Sequence, residues 1–367
     1  MKLQRSGYVA GIALTAALSL AACGSDNNTS SNAGGAANAS AAAGSCATGS
    51  LTASGSTAQK NAMAEWIKDY QGQCSGAKID YQGTGSGAGV EAFTAGTSDF
   101  AGSDSALKPE EHAKADPKCA GGVAMDLPMV VGPIAVVYNV DGVKDLQIDG
   151  PTLAKIFAGK ITKWNDPAIA SQNSGATLPS TAIQTVHRSD SSGTTDNFTK
   201  YLSKVAASDW TFDHDKTWKA PGGTGAQGSD GVAAKIKSTP GTLAYVELSF
   251  AQNSSLAMAK VKNGAGEYAA LTGESAGKTI EGAKVTGTAP DLTMTIDYAT
   301  TQAGAYPIVL VTYEIACSKG SAKAADIKAF LTYTSSTGGQ SVLSDLGYAP
   351  LPESVRAKVA ASVAAIS

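Results

Sequence analysis

Apolar and polar positions alternate along the chain with two different periods after residue 50. β-Prone segments at residues 51–53 and 78–82 flank a helical pattern whose apolar face is carried by residues 63–70. The same order recurs later, where residues 182–186 precede a helical pattern at residues 198–205. Repeated strand–helix units predict an α/β fold with a largely parallel sheet covered by helices.

Two strongly apolar segments stand apart from this alternation, at residues 123–139 and 308–311. Pro128 and Pro133 interrupt the first, which therefore predicts a strand pair or a crossing segment and not a membrane helix. We interpret both segments as the places where the chain passes between two lobes.

The two crossings divide the chain into a first lobe made of two parts and a second lobe between them. Lobe I would comprise residues 46–133 and 298–367, and lobe II would comprise residues 134–297. Within lobe II, the Gly- and Thr-rich residues 264–291 predict only short strands and turns.

The N-terminus has the pattern of a targeting segment, residues 1–22. Its charged start and short apolar run are typical of a signal peptide. The apolar run is too short to span a membrane. The run ends in Leu20-Ala21-Ala22-Cys23, which resembles a bacterial lipoprotein cleavage box. That resemblance implies a lipid on Cys23 and anchoring on the outer face of the cell membrane. An ordinary secretory signal is the alternative, and residues 23–45 have the Ser/Asn/Gly/Ala composition of a flexible linker.

The charge balance is mildly acidic, with a formal net charge of −3 and no basic tract. This argues against nucleic acid as a partner. Any site for an anion must therefore depend on local groups and not on the overall charge.

Four cysteines remain if Cys23 carries a lipid: Cys46, Cys74, Cys119 and Cys317. An even number in an exported protein predicts two disulfides, and four cysteines allow three pairings. We favour Cys46–Cys74, which would join the start of the first strand to the end of the first helix and leave Cys119–Cys317. Buried free thiols are the alternative. The cysteine spacing matches no zinc pattern and the chain has three histidines, so we expect neither a metal nor a cofactor.

Three strand-to-helix turns are rich in glycine and hydroxyl side chains, at residues 54–57, 83–89 and 191–194. In a parallel sheet such turns gather at the carboxyl ends of the strands. The first turn of a helix offers unpaired N–H groups and the positive end of the helix dipole. Gly193 would allow close approach to that backbone, and Arg188 adds a forked cation. Together these features predict a site for a small tetrahedral oxyanion, against the simpler interpretation of a capped helix beside a surface arginine.

Other chemistry is less well supported by the sequence. Residues 83–89 resemble a dinucleotide fingerprint with the wrong glycine spacing, and residues 273–279 resemble a P-loop that is one residue short. No serine is predicted to lie on a nucleophile elbow. His187 would be a poor base beside the cation of Arg188. We therefore predict a binding protein and not an enzyme.

Taken in order, these motifs resemble the phosphate-binding component of the bacterial phosphate-specific ABC transporter. The resemblance extends over essentially everything from Leu51 onward, and the lipobox and cysteines are similar to those of the actinobacterial branch. It implies a two-lobed, periplasmic-binding-protein-like α/β fold that binds inorganic phosphate in the cleft and delivers it, as a monomer, to permease subunits in the membrane. The motifs that carry it lie at residues 54–57, 81–87, 103–104, 160–164, 188–194, 225–231 and 241–247.

The resemblance also implies a set of phosphate contacts, with Asp190 behind Arg188 to hold its guanidinium. At Ala58 the family often has a larger side chain, but a contact through the backbone N–H would survive that change. A secreted phosphomonoesterase with the same cleft, or a binder of another tetrahedral oxyanion such as sulfate, are the alternatives. The implied contacts are Thr57, Ala58, Ser86, Asp104, Arg188, Ser192, Gly193 and Thr194.

Overall fold

The computed structural model describes residues 46–367. The predicted signal peptide, Cys23 and the linker lie outside this range. No helix within it is long and apolar enough to cross a membrane.

The strands are β1 (Ser50–Gly55), β2 (Lys78–Gly83), β3 (Phe100–Ser103), β4 (Ala124–Asn139), β5 (Gln147–Ile148), β6 (Gln184–Arg188), β7 (Thr224–Ala226), β8 (Thr242–Glu247), β9 (Ala257–Met258), β10 (Lys260–Lys262), β11 (Tyr268–Ala269), β12 (Lys284–Val285), β13 (Met294–Thr295) and β14 (Val309–Cys317).

The helices cover these strands, and most of them follow a strand after a turn of a few residues. They are α1 (Lys60–Gln73), α2 (Ser86–Thr94), α3 (Pro109–Ala115), α4 (Gly150–Phe157), α5 (Pro167–Ala170), α6 (Gly193–Val205), α7 (Gly228–Ser238), α8 (Leu248–Asn253), α9 (Gly273–Glu281), α10 (Ala324–Ser335), α11 (Thr337–Ser341) and α12 (Glu353–Ala364).

One long strand, β4, belongs to two sheets. Its residues 124–133 pair with β14 in a first sheet of order β2-β1-β3-β14-β4. Its residues 134–139 pair with β8 in a second sheet of order β4-β8-β6-β7. The parallel pairing expected from the sequence holds for β2-β1-β3 and β8-β6-β7, but β14 and β4 at the centre are antiparallel to their neighbours.

The two prolines of β4 do not split it into a strand pair, because the strand is continuous from Ala124 to Asn139. The register against β14 shifts by one residue between Thr312 and Tyr313, opposite Pro128 and Val130. A bulge of this kind tolerates the missing N–H of a proline. Residues 124–138 are all buried, which explains the continuous apolar pattern.

Both disulfides favoured from the sequence are present. Cys46–Cys74 joins the segment before β1 to the end of α1, and Cys119–Cys317 joins the loop before β4 to the end of β14. Helix α1 packs its predicted apolar face inward, with Met63, Trp66 and Tyr70 buried.

Residues 264–291 contain a helix, α9, where the sequence predicted only strands and turns. Thr272 accepts a hydrogen bond from the Ser275 backbone N–H at 3.0 Å, and the Ser275 side chain accepts from the Thr272 N–H at 2.9 Å. This capping box begins the helix, and buried Ala276 and Ile280 hold it against the protein core. Glycine and threonine have low helix propensity, so here capping and tertiary packing override composition.

The hairpin formed by β12 and β13 packs against the first sheet, although the sequence-based division assigned it to lobe II. The Leu292 N–H donates to the Asp126 carbonyl at 2.9 Å, and the Met294 N–H donates to the Tyr313 hydroxyl at 3.1 Å. The sequence did not indicate this packing, because the hairpin precedes β14 along the chain and so fell within the segment assigned to lobe II.

Candidate functional site

Asp104, which directly follows β3, lies at the centre of a ring of hydroxyl donors. Its Oδ1 accepts from the Ser56 hydroxyl and from Thr312 Oγ1, the latter at 2.8 Å, and its Oδ2 accepts from Ser86 Oγ at 3.0 Å. A carboxylate offers about four lone-pair positions, so these three bonds leave room for one further donor on Oδ2. Burial raises the pKa of Asp104 to about 6, although the hydrogen bond from Ser56 has the opposite effect.

The parallel strands β1 and β3 bring these groups together. Gly55 pairs with Gly102 at the ends of these strands, and a side chain at Gly55 would lie 2.0 Å from the Gly102 carbonyl oxygen. Gly55 also has a φ of +140°, which favours glycine. The residues that follow each strand, Ser56 and Asp104, therefore emerge side by side.

Arg188, at the end of β6, is buried and held in a fixed orientation. Its Nε donates to Asp190 Oδ1 at 2.7 Å and its Nη2 donates to Asp190 Oδ2 at 2.5 Å, so the ion pair is bidentate. The Gly228 N–H supports the same carboxylate at 3.0 Å. Burial acts against the charged form of Arg188, but the hydrogen bonds and charge of Asp190 raise its pKa, so it stays a cation.

The free edge of the Arg188 guanidinium faces two hydroxyl groups. Nη1 lies 3.3 Å from Thr194 Oγ1 and 3.4 Å from Ser229 Oγ. The Thr194 hydroxyl donates in turn to the Glu247 carboxylate, and Ser229 Oγ lies 2.8 Å from Thr57 Oγ1 at the end of β1. The contact between Thr57 and Ser229 thus joins the turn after β1 in the first sheet to the turn after β7 in the second sheet.

Helix α6 points its N-terminus at the Asp104 group. The Gly193 N–H donates to Ser86 Oγ at 3.2 Å, and a Cβ on Gly193 would lie 2.5 Å from the Asp104 Cβ. Ser192 caps the helix by accepting from the Thr195 N–H at 3.2 Å. Its own N–H donates to the Lys216 carbonyl at 2.8 Å, so Ser192 can reach a ligand only through its hydroxyl group.

The remaining residue of the implied set, Ala58, lies in the same turn as Thr57. Its N–H points at Ser56 Oγ, at 3.0 Å. The structure therefore brings the turns after β1, β3 and β6 together with the N-termini of α2, α6 and α7. Such a cluster of N–H and hydroxyl donors around one buried guanidinium suits a compact oxyanion, and the Asp104 carboxylate suits an oxyanion that carries a proton.

Several residues of the cluster were not singled out from the sequence. Ser56 and Ser229 lie in strand-to-helix turns of the type that was used to find the site, so the same signal would have included them. Thr312 gave no signal, and Glu247 entered only as the last residue of the 241–247 motif, since each lies in a strand and reaches the cluster only through sheet pairing. Glu247 is fully buried, and within residues 46–367 its Oε2 has no hydrogen-bond partner.

Ion pairs between the two sides close the rim of the cluster. Lys60 Nζ lies 2.6 Å from Asp230 Oδ2, and the buried Lys216 Nζ lies 2.7 Å from Glu111 Oε1. The Gly87 N–H also donates to the Ser191 carbonyl at 3.0 Å. The cluster is therefore shielded from water, which strengthens its electrostatic interactions.

Two features that could suggest catalysis have structural roles. Residues 273–277 fit the letters of G-x-S-x-G, which the sequence analysis missed, but Ser275 is a capping residue in the first turn of α9 and not a strand-to-helix nucleophile. His187 stacks on Trp218 at 4.9 Å between ring centroids, with Nδ1 2.9 Å from the Arg188 carbonyl oxygen. Neither side chain hydrogen-bonds to the Asp104 carboxylate or to the Arg188 guanidinium within residues 46–367.

Comparisons with known proteins agree with this geometry. A family described as a PBP superfamily domain matches residues 40–337. The chain is 45% identical to the phosphate-binding protein PstS 3 of Mycobacterium leprae over 372 residues, covering 100% of both chains. It is 44% identical to the phosphate-binding protein PstS 2 of Mycobacterium tuberculosis over 374 residues, again covering 100% of both.

A solved structure supports the fold at lower identity. The phosphate-binding protein of Stenotrophomonas maltophilia superposes with a TM-score of 0.66 at 21% identity, covering 85% of this chain and 93% of that one. The predicted two-lobed, periplasmic-binding-protein-like α/β fold is thus confirmed.

Proposed function

The chain belongs to the PBP superfamily and, within it, to the PstS-type phosphate-binding proteins, and on this premise we propose that it binds inorganic phosphate for import. Phosphate would be bound outside the cytoplasm and delivered to the permease subunits of an ABC transporter. The chain acts by binding and not by catalysis. We also propose that it is a monomer.

The observation that carries this proposal is the pairing of one buried carboxylate with a cluster of donors. Asp104 has one acceptor position left on Oδ2, and the opposite side of the cluster presents Arg188 Nη1 and the Gly193 N–H. Phosphate near neutral pH still carries a proton, which Asp104 accepts, whereas its other oxygens accept from the donors. Sulfate has no proton to donate and would face the carboxylate directly.

The proposed phosphate contacts are those implied by the sequence. Thr57, Ala58, Ser86 and Asp104 contribute from lobe I, and Arg188, Ser192, Gly193 and Thr194 from lobe II. We assign supporting roles to Asp190, which orients Arg188, and to Ser56, Thr312 and Ser229, which fix the hydroxyl network.

The proposed lobes follow the two sheets and not the order of the chain alone. Lobe I comprises residues 46–133 and 298–367, together with the β12–β13 hairpin at residues 284–295. Lobe II comprises the rest of residues 134–297. Closure of the lobes around phosphate is supported by the contacts Thr57–Ser229 and Ser86–Gly193.

Membrane attachment is a further part of the proposal, and it depends on sequence alone. Residues 1–22 act as a lipoprotein signal peptide, Cys23 carries the lipid, and residues 23–45 form the tether. The lipid holds the binding domain on the outer face of the cell membrane, close to the permease.

Calorimetric titration of the purified full chain with phosphate, arsenate and sulfate tests the proposed function. We expect one tight site for phosphate, a site for arsenate because it too carries a proton at neutral pH, and far weaker binding of sulfate. Equal affinity for sulfate and phosphate would contradict the role of Asp104. Binding of neither anion would contradict the function itself.

A further inference from the structure

Three side chains of the types that bind divalent metals converge outside the hydrogen-bond network of Asp104 and Arg188. His112 Nε2 lies 3.8 Å from Asp126 Oδ2 and 3.8 Å from Asp291 Oδ2. One ligand atom from each residue lies within 4.8 Å of the other two. The three come from α3, β4 and the loop between β12 and β13, so only the folded chain assembles them.

Each of the three is held by a hydrogen bond. His112 Nδ1 lies 3.5 Å from Asp116 Oδ1, which leaves Nε2 directed at the two carboxylates. The Asp126 N–H donates to Asp291 Oδ1 at 2.7 Å, which leaves Asp291 Oδ2 directed at His112. For Asp126, the Leu107 N–H reaches both carboxylate oxygens, at 3.2 Å to Oδ1 and 3.0 Å to Oδ2. A carboxylate on the far nitrogen of a histidine is the usual outer partner of a metal-bound imidazole.

His112 is the one basic side chain that lies against the two carboxyl groups of this cluster within the described residues. Asp126 is fully buried, and within residues 46–367 no lysine or arginine forms an ion pair with it or with Asp291. The buried amine of Lys216 pairs with Glu111 at 2.7 Å. Buried carboxylates are normally paired with a cation or coordinated to a metal. His112 and Asp291 remain 24% and 28% exposed, so an ion can reach the cluster from solvent.

We propose that His112, Asp126 and Asp291 bind one divalent transition-metal ion, such as Zn²⁺ or Mn²⁺, with water completing its coordination. One imidazole nitrogen and two carboxylate oxygens form a donor set that suits these ions. Bonds of about 2.0–2.2 Å at tetrahedral angles separate ligand atoms by about 3.3–3.6 Å. The two separations from His112, at 3.8 Å, therefore need to shorten by only a few tenths of an ångström. The two carboxylate oxygens, which lie within 4.8 Å of each other, must also move closer together.

A metal at this position would act as a structural clamp. It would join the β12–β13 hairpin to β4 and α3, and one of its ligands, Asp126, already holds Leu107, three residues after Asp104. We expect the ion to stabilise lobe I without entering the phosphate cluster. The inference does not depend on the identity of the anion bound in the cleft.

The test is metal binding to the chelator-treated full chain in phosphate-free buffer, measured by calorimetry and by thermal unfolding with ZnCl₂, MnCl₂ and CaCl₂. We expect one Zn²⁺ or Mn²⁺ per chain and a rise in the unfolding temperature of several degrees, reversed by EDTA. His112→Gln and Asp291→Asn should each lower the affinity at least about tenfold, as is typical when a metal site loses a ligand or its support. Phosphate titration of both variants reports whether the fold and the cleft are intact.

His214→Gln is the matched control, because His214 also contacts a carboxylate, Asp196, but at a different place. It should bind the metal as the parent does. The inference is overturned if the parent binds no ion stoichiometrically, or if His112→Gln and Asp291→Asn bind it as tightly as the parent. Loss of binding in His214→Gln alone would place the ion elsewhere and would equally overturn it. Binding of Ca²⁺ that is unaffected by His112→Gln would exclude the proposed nitrogen ligand.

Discussion

At the scale of single residues, we propose that Asp104 determines which oxyanions the cleft accepts. Its carboxylate is buried and already accepts from three hydroxyl groups, so the remaining position must meet a donor. We expect Asp104→Asn to retain some phosphate binding but to lower the preference for phosphate over sulfate at least about tenfold. The amide can donate to an unprotonated oxyanion, whereas the carboxylate leaves an unpaired charge against it.

Affinities of parent and Asp104→Asn for both anions near pH 7 measure this ratio. Asp230→Asn serves as the control, because Asp230 is an exposed acid at the rim that pairs with Lys60. An unchanged ratio in Asp104→Asn would refute this explanation of selectivity.

Arg188 is the second residue whose contacts no other side chain can reproduce. Lysine has the charge but cannot make the two parallel bonds to Asp190 while also facing Thr194 and Ser229. Hydrogen bonds to a charged group contribute about 1.5–3 kcal/mol, so Arg188→Lys should weaken phosphate binding at least about tenfold. Calorimetry provides the measurement, and Arg356→Lys is the control, because Arg356 in α12 pairs with Glu353 and not with Asp190. Parent-like affinity in Arg188→Lys would remove this residue from the site.

At the scale of elements, the N-terminus of α6 brings the two lobes into contact. A Cβ on Gly193 would lie 2.5 Å from the Asp104 Cβ and 2.7 Å from Ser86 Oγ. We expect Gly193→Ala to hold the lobes apart and to weaken phosphate binding at least about tenfold, because a closed cleft needs this approach. Its folded structure should persist, since the collision occurs between lobes.

Gly277→Ala provides the control on another helix. A Cβ there has no neighbour within 4 Å, and Gly277 lies inside α9. The change should leave phosphate binding intact and raise the free energy of unfolding by about 0.5–1 kcal/mol. Urea unfolding and phosphate titration of both variants compare the two effects. Equal binding by Gly193→Ala and the parent would contradict the predicted collision.

At the scale of the whole molecule, the Cys119–Cys317 disulfide spans 198 residues and so links the two separate parts of lobe I. Removing a disulfide across so long a loop raises the conformational entropy of the unfolded chain. The Cys119→Ser/Cys317→Ser variant should therefore lose about 2–5 kcal/mol of stability. Cys46→Ser/Cys74→Ser, which opens a separation of only 28 residues, should lose less. Urea unfolding with and without reductant provides the comparison, and a larger loss in the second variant would contradict it.

Attachment of the molecule to the membrane depends on Cys23 alone in our proposal. Cys23→Ser should therefore transfer the protein from the membrane fraction to the soluble extracytoplasmic fraction. Fractionation followed by immunodetection measures this, with Cys46→Ser/Cys74→Ser as a control that keeps the lipid site. Membrane association of Cys23→Ser at the parent level would exclude lipidation at this residue as the anchor.

The site could be anticipated from the sequence to the extent that it consists of local turns. The turns after β1 and β6 can be recognised in the sequence because small and hydroxyl residues follow a β-prone segment and precede a helical pattern. Glu247 and Thr312 had no such signal, since a residue inside a strand reaches the cluster only through its sheet neighbours. The sequence likewise gave no reason to group His112, Asp126 and Asp291, because their spacing along the chain is unrelated to their proximity.

The sequence by itself determined the local features of this protein: the strand–helix units, the donor-rich turns, the apolar segment at residues 123–139 and the family to which the chain belongs. Each depends on periodicity, turn chemistry or motifs within a few residues. Only the tertiary structure decided that β14 and β4 run antiparallel to their neighbours, that α9 is a helix, and that the β12–β13 hairpin packs on lobe I. These outcomes depend on which distant surfaces bury each other's apolar area, and hydrophobic burial is non-directional, so no local pattern encodes it.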